Sequence, residues 1–412
     1  MKQIQRNLRA LSLAAIWLAS CQSTPDTRDP VVFRAPEVPV PPTSVVPPHP
    51  PVVTPPTPPV VVTPPTVKPP RSTPTVITPP NPTTTPQQVS RTIVPPTPLV
   101  PERPAPGWEI VQVKLPPPNL SMKVGGIEWV SLEAWGKRHS NSQFARLKSQ
   151  AEIIHRLVIS GLRFDVMAEN RLAHCQGVQL WLGFAPKIIQ GHLYLHHLDM
   201  RKHLDPLAAS MPNLGRVVVI DPGHGANNLG TQSVFNKKHE KEYTLDWAMR
   251  LKPLLEARGW KVHLTRTADK SVANEDRVEF ADRVRATLFI SLHFNYAAPH
   301  VRGLETYCIT PVGMPSHLTR GYKDIIDQTL PNNNYDSANL QLASRVHSQM
   351  LVTCGMEDRG VRRVRFMSVL KDQKRPAVLV EGGYLSNMEE AKLVATPEYR
   401  QKLAQAVAEA LP

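Results

Sequence analysis

The sequence predicts an α/β fold, a twisted and mostly parallel sheet flanked by helices, over residues 215–412. Three observations carry that prediction. Apolar, β-branched runs at Arg216–Asp221, Thr287–Phe294 and Ala377–Gly383 read as strands covered on both faces. Between them, Glu240, Tyr243, Leu245, Ala248, Leu251, Leu254 and Leu255 recur at close to 3.6 residues and stop at Gly259. Strands that alternate with helices in this way call for parallel pairing, because each crossover then covers one face of the sheet. Further strands are expected at Lys261–Arg266 and Gly303–Thr310, with helices at Asn274–Ala286 and near Ala338–Val352.

The front of the chain is of another kind. Of 412 residues, 44 are proline, and 32 of these fall at or before Pro118. Residues 22–107 therefore read as a disordered linker in extended polyproline II, since proline fixes φ and removes backbone donors. Ahead of it, Lys2, Arg6 and Arg9 precede the short apolar run Ala10–Ala19, which has the length of a signal-peptide core rather than a membrane span. The run ends in Leu18-Ala19-Ser20-Cys21, which resembles a bacterial lipobox, so residues 1–21 are expected to direct export and lipid attachment at Cys21. Gln22 follows the cysteine where aspartate marks inner-membrane retention in enterobacteria. The expected location is thus periplasmic, with the outer membrane favoured. The net charge of +14 is dispersed, without a lysine-arginine tract, and with an export signal it excludes nucleic acid as a partner. It suits a polyanion such as a carboxylate-rich cell wall.

Residues 108–214 read as a small α+β accessory module. Glu109–Lys114, Gly126–Leu132 and Val178–Phe184 are strand-like, and Ser131–Gly136 starts a helical turn. GGIEWVSLEAW and NRLAHCQGVQLWLGFAPKIIQGHLYLHHLDMRKHLDPLA resemble the copper-amine-oxidase-like N-terminal domain, which implies binding or spacing and no copper. His192, His196, His197 and His203 crowd this region, but no cysteine or carboxylate completes a ligand set at helical spacing, so packed or solvated rings are expected. Cys175, Cys308 and Cys354 are expected to be buried thiols.

The chemistry-bearing residues lie after Gly215. Pro222-Gly223-His224-Gly225 breaks the first strand and presents an imidazole at its carboxyl end, where sites form in open α/β sheets. His293 and Glu381 stand at the ends of the third and last strands. Two imidazoles and one carboxylate form the ligand set of many hydrolytic zinc sites, with a fourth position left for water. A glutamate that does not bind the metal would take the water's proton and pass it to the leaving amine. His224 and His293 suit the ligand role and Glu381 the acid/base role. By spacing, the third ligand is Glu240, with Glu242 and His239 as rivals.

These motifs resemble the zinc-dependent N-acetylmuramoyl-L-alanine amidases, the cell-wall family called Amidase type 3, over residues 217–411. The matching stretches are VVIDPGHGANNLGTQ, HEKEYTLDWAMRLKPLLEARGWKVHLTR, EDRVEFADRVRATLFISLHFN, DRGVRRVRFMSVL and RPAVLVEGGYLSN. The resemblance implies Zn²⁺ on His224, Glu240 and His293, with Glu381 catalytic and Asn295 as a neighbour. It also implies peptidoglycan as partner and cleavage between the muramic lactyl group and L-alanine. Thr287, Phe294 and Gly382-Gly383 depart from the pattern: aspartate, a small residue, and a large residue followed by glycine are usual there. Arg277 is expected to be a structural ion-pair residue, and Arg359, Arg362, Arg363 and Arg365, with Lys371, Lys374 and Arg375, to face either muropeptide carboxylates or solvent. Some relatives carry an inhibitory helix where Pro311–Ser337 stands. Asp324 or Asp327 would be its contact residues, but the segment is short, and any activator is unidentified. The alternative from another class is a non-catalytic, peptidoglycan-binding lipoprotein anchor.

Overall fold

The computed structural model describes residues 107–150 and 152–412. The export signal, Cys21 and all but the end of the proline-rich stretch lie outside the described residues. Ahead of residue 215, short alternating segments make strands. β1 (Glu109–Ile110) pairs with a meander of β4 (Gln143–Lys148), β5 (Ile153–Ile159), β6 (Leu162–Met167), β7 (Leu172–Cys175) and β8 (Val178–Trp181). Leu157, Phe164, Val166, Ala173 and Leu180 point from it into the core. A second sheet holds β2 (Ser121–Val124), β3 (Ile127–Ser131), β9 (Lys187–Ile189) and β10 (His192–His196) in the order β2-β3-β10-β9. Short helices α1 (Leu132–Gly136), α2 (His197–Asp199) and α3 (Asp205–Ala208) accompany these strands.

From residue 217 the order is β11 (Val217–Pro222), α4 (Glu240–Glu256), β12 (Lys261–Leu264), α5 (Asn274–Arg283), β13 (Leu288–Asn295) and β14 (Leu304–Ile309). Then come α6 (Asp336–Cys354), β15 (Asp358–Val364), α7 (Ser368–Lys371), β16 (Ala377–Tyr384), α8 (Met388–Ala395) and α9 (Pro397–Ala410). Strands β12, β11, β13 and β16 are mutually parallel, as the alternation of elements predicts. β14 runs antiparallel to β16 and parallel to β15, so the sheet is mixed. This reversal matters for the site: it lays the beginning of β14 beside the carboxyl-terminal half of β16. At the far edge β15 pairs with β8, and one sheet of twelve described strands runs through both halves. One apolar core, from Leu132 and Phe164 to Leu292 and Leu403, accompanies it.

β15 and the residues just after it contradict the solvent-facing expectation for these arginines, since Arg359, Arg362, Arg363 and Arg365 are all buried. Buried guanidinium survives only with acceptors. Arg359 and Arg362 reach Glu305 (2.9 and 3.1 Å), Arg363 donates to Lys202 O (2.7 Å), and Arg365 to Asp324 (2.7 Å) and to the carbonyls of Pro311 and Met314. Cys175 and Cys308 are buried thiols and Cys354 a half-buried one.

Candidate metal and acid/base site

The first strand ends in a loop braced from beneath. Asp221, almost fully buried, accepts from Thr265 Oγ1 (2.5 Å) and Ser291 Oγ (2.7 Å) and pairs with Arg277. The same guanidinium donates to the carbonyls of Pro222 (3.2 Å), His224 (3.0 Å) and Val272 (3.1 Å). Arg266 adds donors to Pro222 O and Gly223 O, both at 2.9 Å. Arg277, on α5, is thus an ion-pair residue whose partner is Asp221 on β11. Held this way, His224 adopts φ 66°, a left-handed conformation that a non-glycine residue keeps only when its surroundings impose it.

Helix α4 begins at Glu240, which is 3% exposed and points back under the loop. Its two oxygens meet the two histidines, Oε2 at 3.0 Å from His224 Nε2 and Oε1 at 2.9 Å from His293 Nδ1. Backbone N–H groups of Thr231 (3.0 Å) and Phe294 (2.9 Å) also donate to this carboxylate. Two glycines make the convergence sterically feasible. A Cβ at Gly223 would lie 2.3 Å from the His293 ring, and one at Gly230 would lie 2.7 Å from both Glu240 and His224. The His224 Nδ1 contact with Asn228 Oδ1 (2.8 Å) fixes the ring and leaves Nε2 toward Glu240. Of the rivals, Glu242 folds back to cap the helix by accepting from His239 N (3.1 Å).

Among the described residues, His224, Glu240 and His293 form the one group of three or more metal-competent side chains, with ligand atoms all within 4.8 Å. The accessory histidines form no such group. His192 bonds Pro116 O (2.9 Å), His196 stacks on Phe184, and His203 is buried 3.0 Å from Asp199. Burial would favour the neutral acid at Glu240, but the charge and hydrogen bond of His224, then those of His293, hold it well below the usual carboxylate range. Burial also opposes charge on His224, where Glu240 prevails and raises the pKa; at His293 burial prevails and lowers it.

Glu381 is the cross-strand partner of His293 in β13/β16. It is 6% exposed, and its Oε2 is buried without a hydrogen-bond partner. Burial, then the charge of Glu240, raises its pKa, with Arg320 opposing and Glu305 adding to the rise. Glu305 faces Glu381 from β14 and is fully buried; besides Arg359 and Arg362 it accepts from Tyr307 Oη (2.5 Å) and Asn295 Nδ2 (2.8 Å). Asn295 therefore serves Glu305 rather than the histidine pair. The sequence reading did not identify Glu305 or Arg320, because their contacts cross between β14, β15 and the following loop. Asp324 is spent on Arg365 and Ser316, and no helix forms between residues 311 and 330.

Residues 218–412 match the model of the N-acetylmuramoyl-L-alanine amidase family Amidase_3. A solved relative, the N-acetylmuramoyl-L-alanine amidase AmiC2 of Nostoc punctiforme, is 32% identical over 48% of this chain and 94% of that one, with TM-score 0.40. The chain belongs to this family. The N-acetylmuramoyl-L-alanine amidase LytC of Bacillus subtilis (strain 168) is 32% identical over 200 residues, which is 48% of this chain and 35% of LytC. The probable cell wall amidase LytH of Staphylococcus epidermidis (strain ATCC 12228) is 30% identical over 217 residues, 52% of this chain and 64% of LytH. The matched segment thus spans less than two thirds of either curated relative.

Gly382 lies against Phe294. A Cβ at Gly382 would meet Phe294, Trp247 and Leu403, each at 2.9 Å. Thr287 bonds the Val217 backbone from both sides, donating at 2.9 Å and accepting at 3.3 Å.

Proposed function

We propose that this protein is a zinc-dependent peptidoglycan hydrolase that cleaves the amide between the lactyl group of N-acetylmuramic acid and L-alanine. One observation carries the reading: two imidazoles and a carboxylate converge at the strand ends, with a buried, unpartnered glutamate oxygen on the neighbouring strand. The donor set fits zinc, being N/O in type and three in number, with room for a fourth ligand. His224, Glu240 and His293 would hold it. Zinc there supplies Lewis acidity, polarising a carbonyl and making water acidic enough to attack an amide near neutral pH. Asn228 keeps the His224 ring oriented, and the N–H groups of Thr231 and Phe294 keep Glu240 ionised and in place. Glu381 Oε2 takes a proton from the attacking water and returns it to the L-alanine nitrogen as the C–N bond breaks. Burial raises its pKa, and the proton it takes in the first transfer is the one it gives in the second.

The test is digestion of isolated sacculi with and without a chelator, followed by mass spectrometry of the products. Free lactyl carboxylates and new L-alanine amino termini are expected, lost with the chelator and restored by zinc. Glu381→Gln should keep zinc stoichiometry and fold while losing about 10²–10⁴-fold in rate. Undiminished activity would remove Glu381 from its role, and cleavage within the stem peptide would replace the amidase reading by a peptidase. We further propose export with lipid attachment at Cys21, so that the proline-rich stretch spaces the enzyme from an outer membrane. Cys21→Ala should then release the protein into the soluble periplasmic fraction, and retention on membranes would refute the anchor.

A further inference from the structure

We propose that Arg320 reads a free carboxylate of the stem peptide beyond the scissile bond, so that the enzyme discriminates acidic stems from amidated ones. The inference rests on the amidase reading above and adds a specificity residue to it. Arg320 lies between β14 and α6, outside the metal cluster and its supports, and takes φ 47°. Its guanidinium sits over the rings of Phe366 (5.1 Å) and Tyr307 (5.9 Å), and Nη2 donates to Tyr307 Oη at 3.4 Å. Aromatic faces hold the plane of an arginine while leaving its edges available. Among the described residues no carboxylate lies within ion-pair distance of it, whereas the neighbouring Arg359, Arg362 and Arg365 each have one. Nε is buried without a partner. Glu381 and Glu305, both beyond ion-pair distance, favour its charge but leave the bidentate edge of the guanidinium without a carboxylate.

Its position suits the substrate. Tyr307 Oη bonds both Arg320 and Glu305, and Glu305 lies directly across the strand pair from Glu381. Arg320 is therefore about two side chains from the proton-transfer group. Other cations lie nearby, together with the Glu305 and Glu381 carboxylates. His317, stacked on Trp181, is pushed down to about 2 by burial and by Arg362, Arg171 and Arg359. Arg320 offers a ligand carboxylate the planar fork that pairs with it in bidentate fashion.

The experiment uses two synthetic N-acetylmuramoyl tripeptides that differ only at the second stem residue, whose branch ends in a carboxylate or a carboxamide. The zinc-loaded full chain, Arg320→Ala and Arg320→Lys are compared by kcat/KM on both. Wild type should favour the carboxylate by about ten- to hundred-fold, the range of a charge-assisted hydrogen-bonded pair, expressed mainly in KM. Arg320→Ala should bring the ratio close to one, with Arg320→Lys in between. If wild type shows no preference, or if the preference survives in Arg320→Ala, the inference is overturned while the amidase reading stands. If the wild type cleaves neither compound at the lactyl amide, the amidase reading falls first. The wild-type ratio is informative even where Arg320→Ala does not fold.

Discussion

Removing Arg277 tests whether the brace beneath the first strand supports the metal site. Its guanidinium satisfies four acceptors: Asp221, which is 1% exposed, and the carbonyls of Pro222, His224 and Val272. Arg277→Ala would leave Asp221 with only the hydroxyls of Thr265 and Ser291. Loss of one partner from a buried ion pair costs about 3–5 kcal/mol, a large fraction of the roughly 5–15 kcal/mol that holds a domain together. The cost comes chiefly from the stranded charge, so Arg277→Ala/Asp221→Asn should be more stable than Arg277→Ala by about 1–3 kcal/mol. Arg277→Lys should rescue little, because one ammonium does not span acceptors on three sides. The His224 carbonyl is one of these acceptors, so zinc affinity should also fall, by about 10- to 100-fold, although no ligand has changed. Urea denaturation of the metal-free chains and zinc competition against a chromogenic chelator measure the two effects. Arg277→Ala within about 1 kcal/mol of wild type, or a double variant no better than the sum of the singles, would refute the argument.

Two further perturbations address the β13/β16 packing and a buried acid. Gly382→Ala should destabilise by about 1–3 kcal/mol through overlap with Phe294, Trp247 and Leu403. Phe294→Leu in the same chain should recover part of that in urea melts, and strict additivity would show that the two sites are not exchanging volume. Glu390 accepts from the N–H groups of Gly303 and Tyr384, both at 2.7 Å, and burial raises its pKa to about 7. Between the unfolded value of about 4.3 and 7 the folded state holds a proton that the unfolded state has released. Stability should therefore fall as pH rises through this window, by at most about 4 kcal/mol, and level off above it. Glu390→Gln should flatten that slope between pH 5 and 8, and identical slopes for the two proteins would eliminate Glu390 as its source.

What the sequence disclosed follows from how local each signal is. β11, β13 and β16 were legible because their apolar runs are continuous, and a histidine or glutamate at the end of such a run is placed by the strand itself. Glu240 was less so: spacing left Glu242 and His239 open, and what separates them is the direction in which the first turn of α4 faces. β15 was hidden by its arginines, whose burial depends on Glu305, Asp324 and backbone carbonyls far away in the chain. Strands β4 to β7 of the meander were missed for a similar reason, since charged residues such as Arg156 and Asp165 interrupt their alternation and become intelligible only as a cross-strand pair at 2.7 Å, whereas β8 was legible. The same long-range logic joins the halves of the molecule. Arg359 and Arg362 leave β15 to hold Glu305 opposite Glu381, while β15 itself is kept from being an edge by β8. The accessory half thus borders the strand that sets the electrostatics of the proton-transfer residue, a link that runs through the sheet and leaves no motif in the sequence.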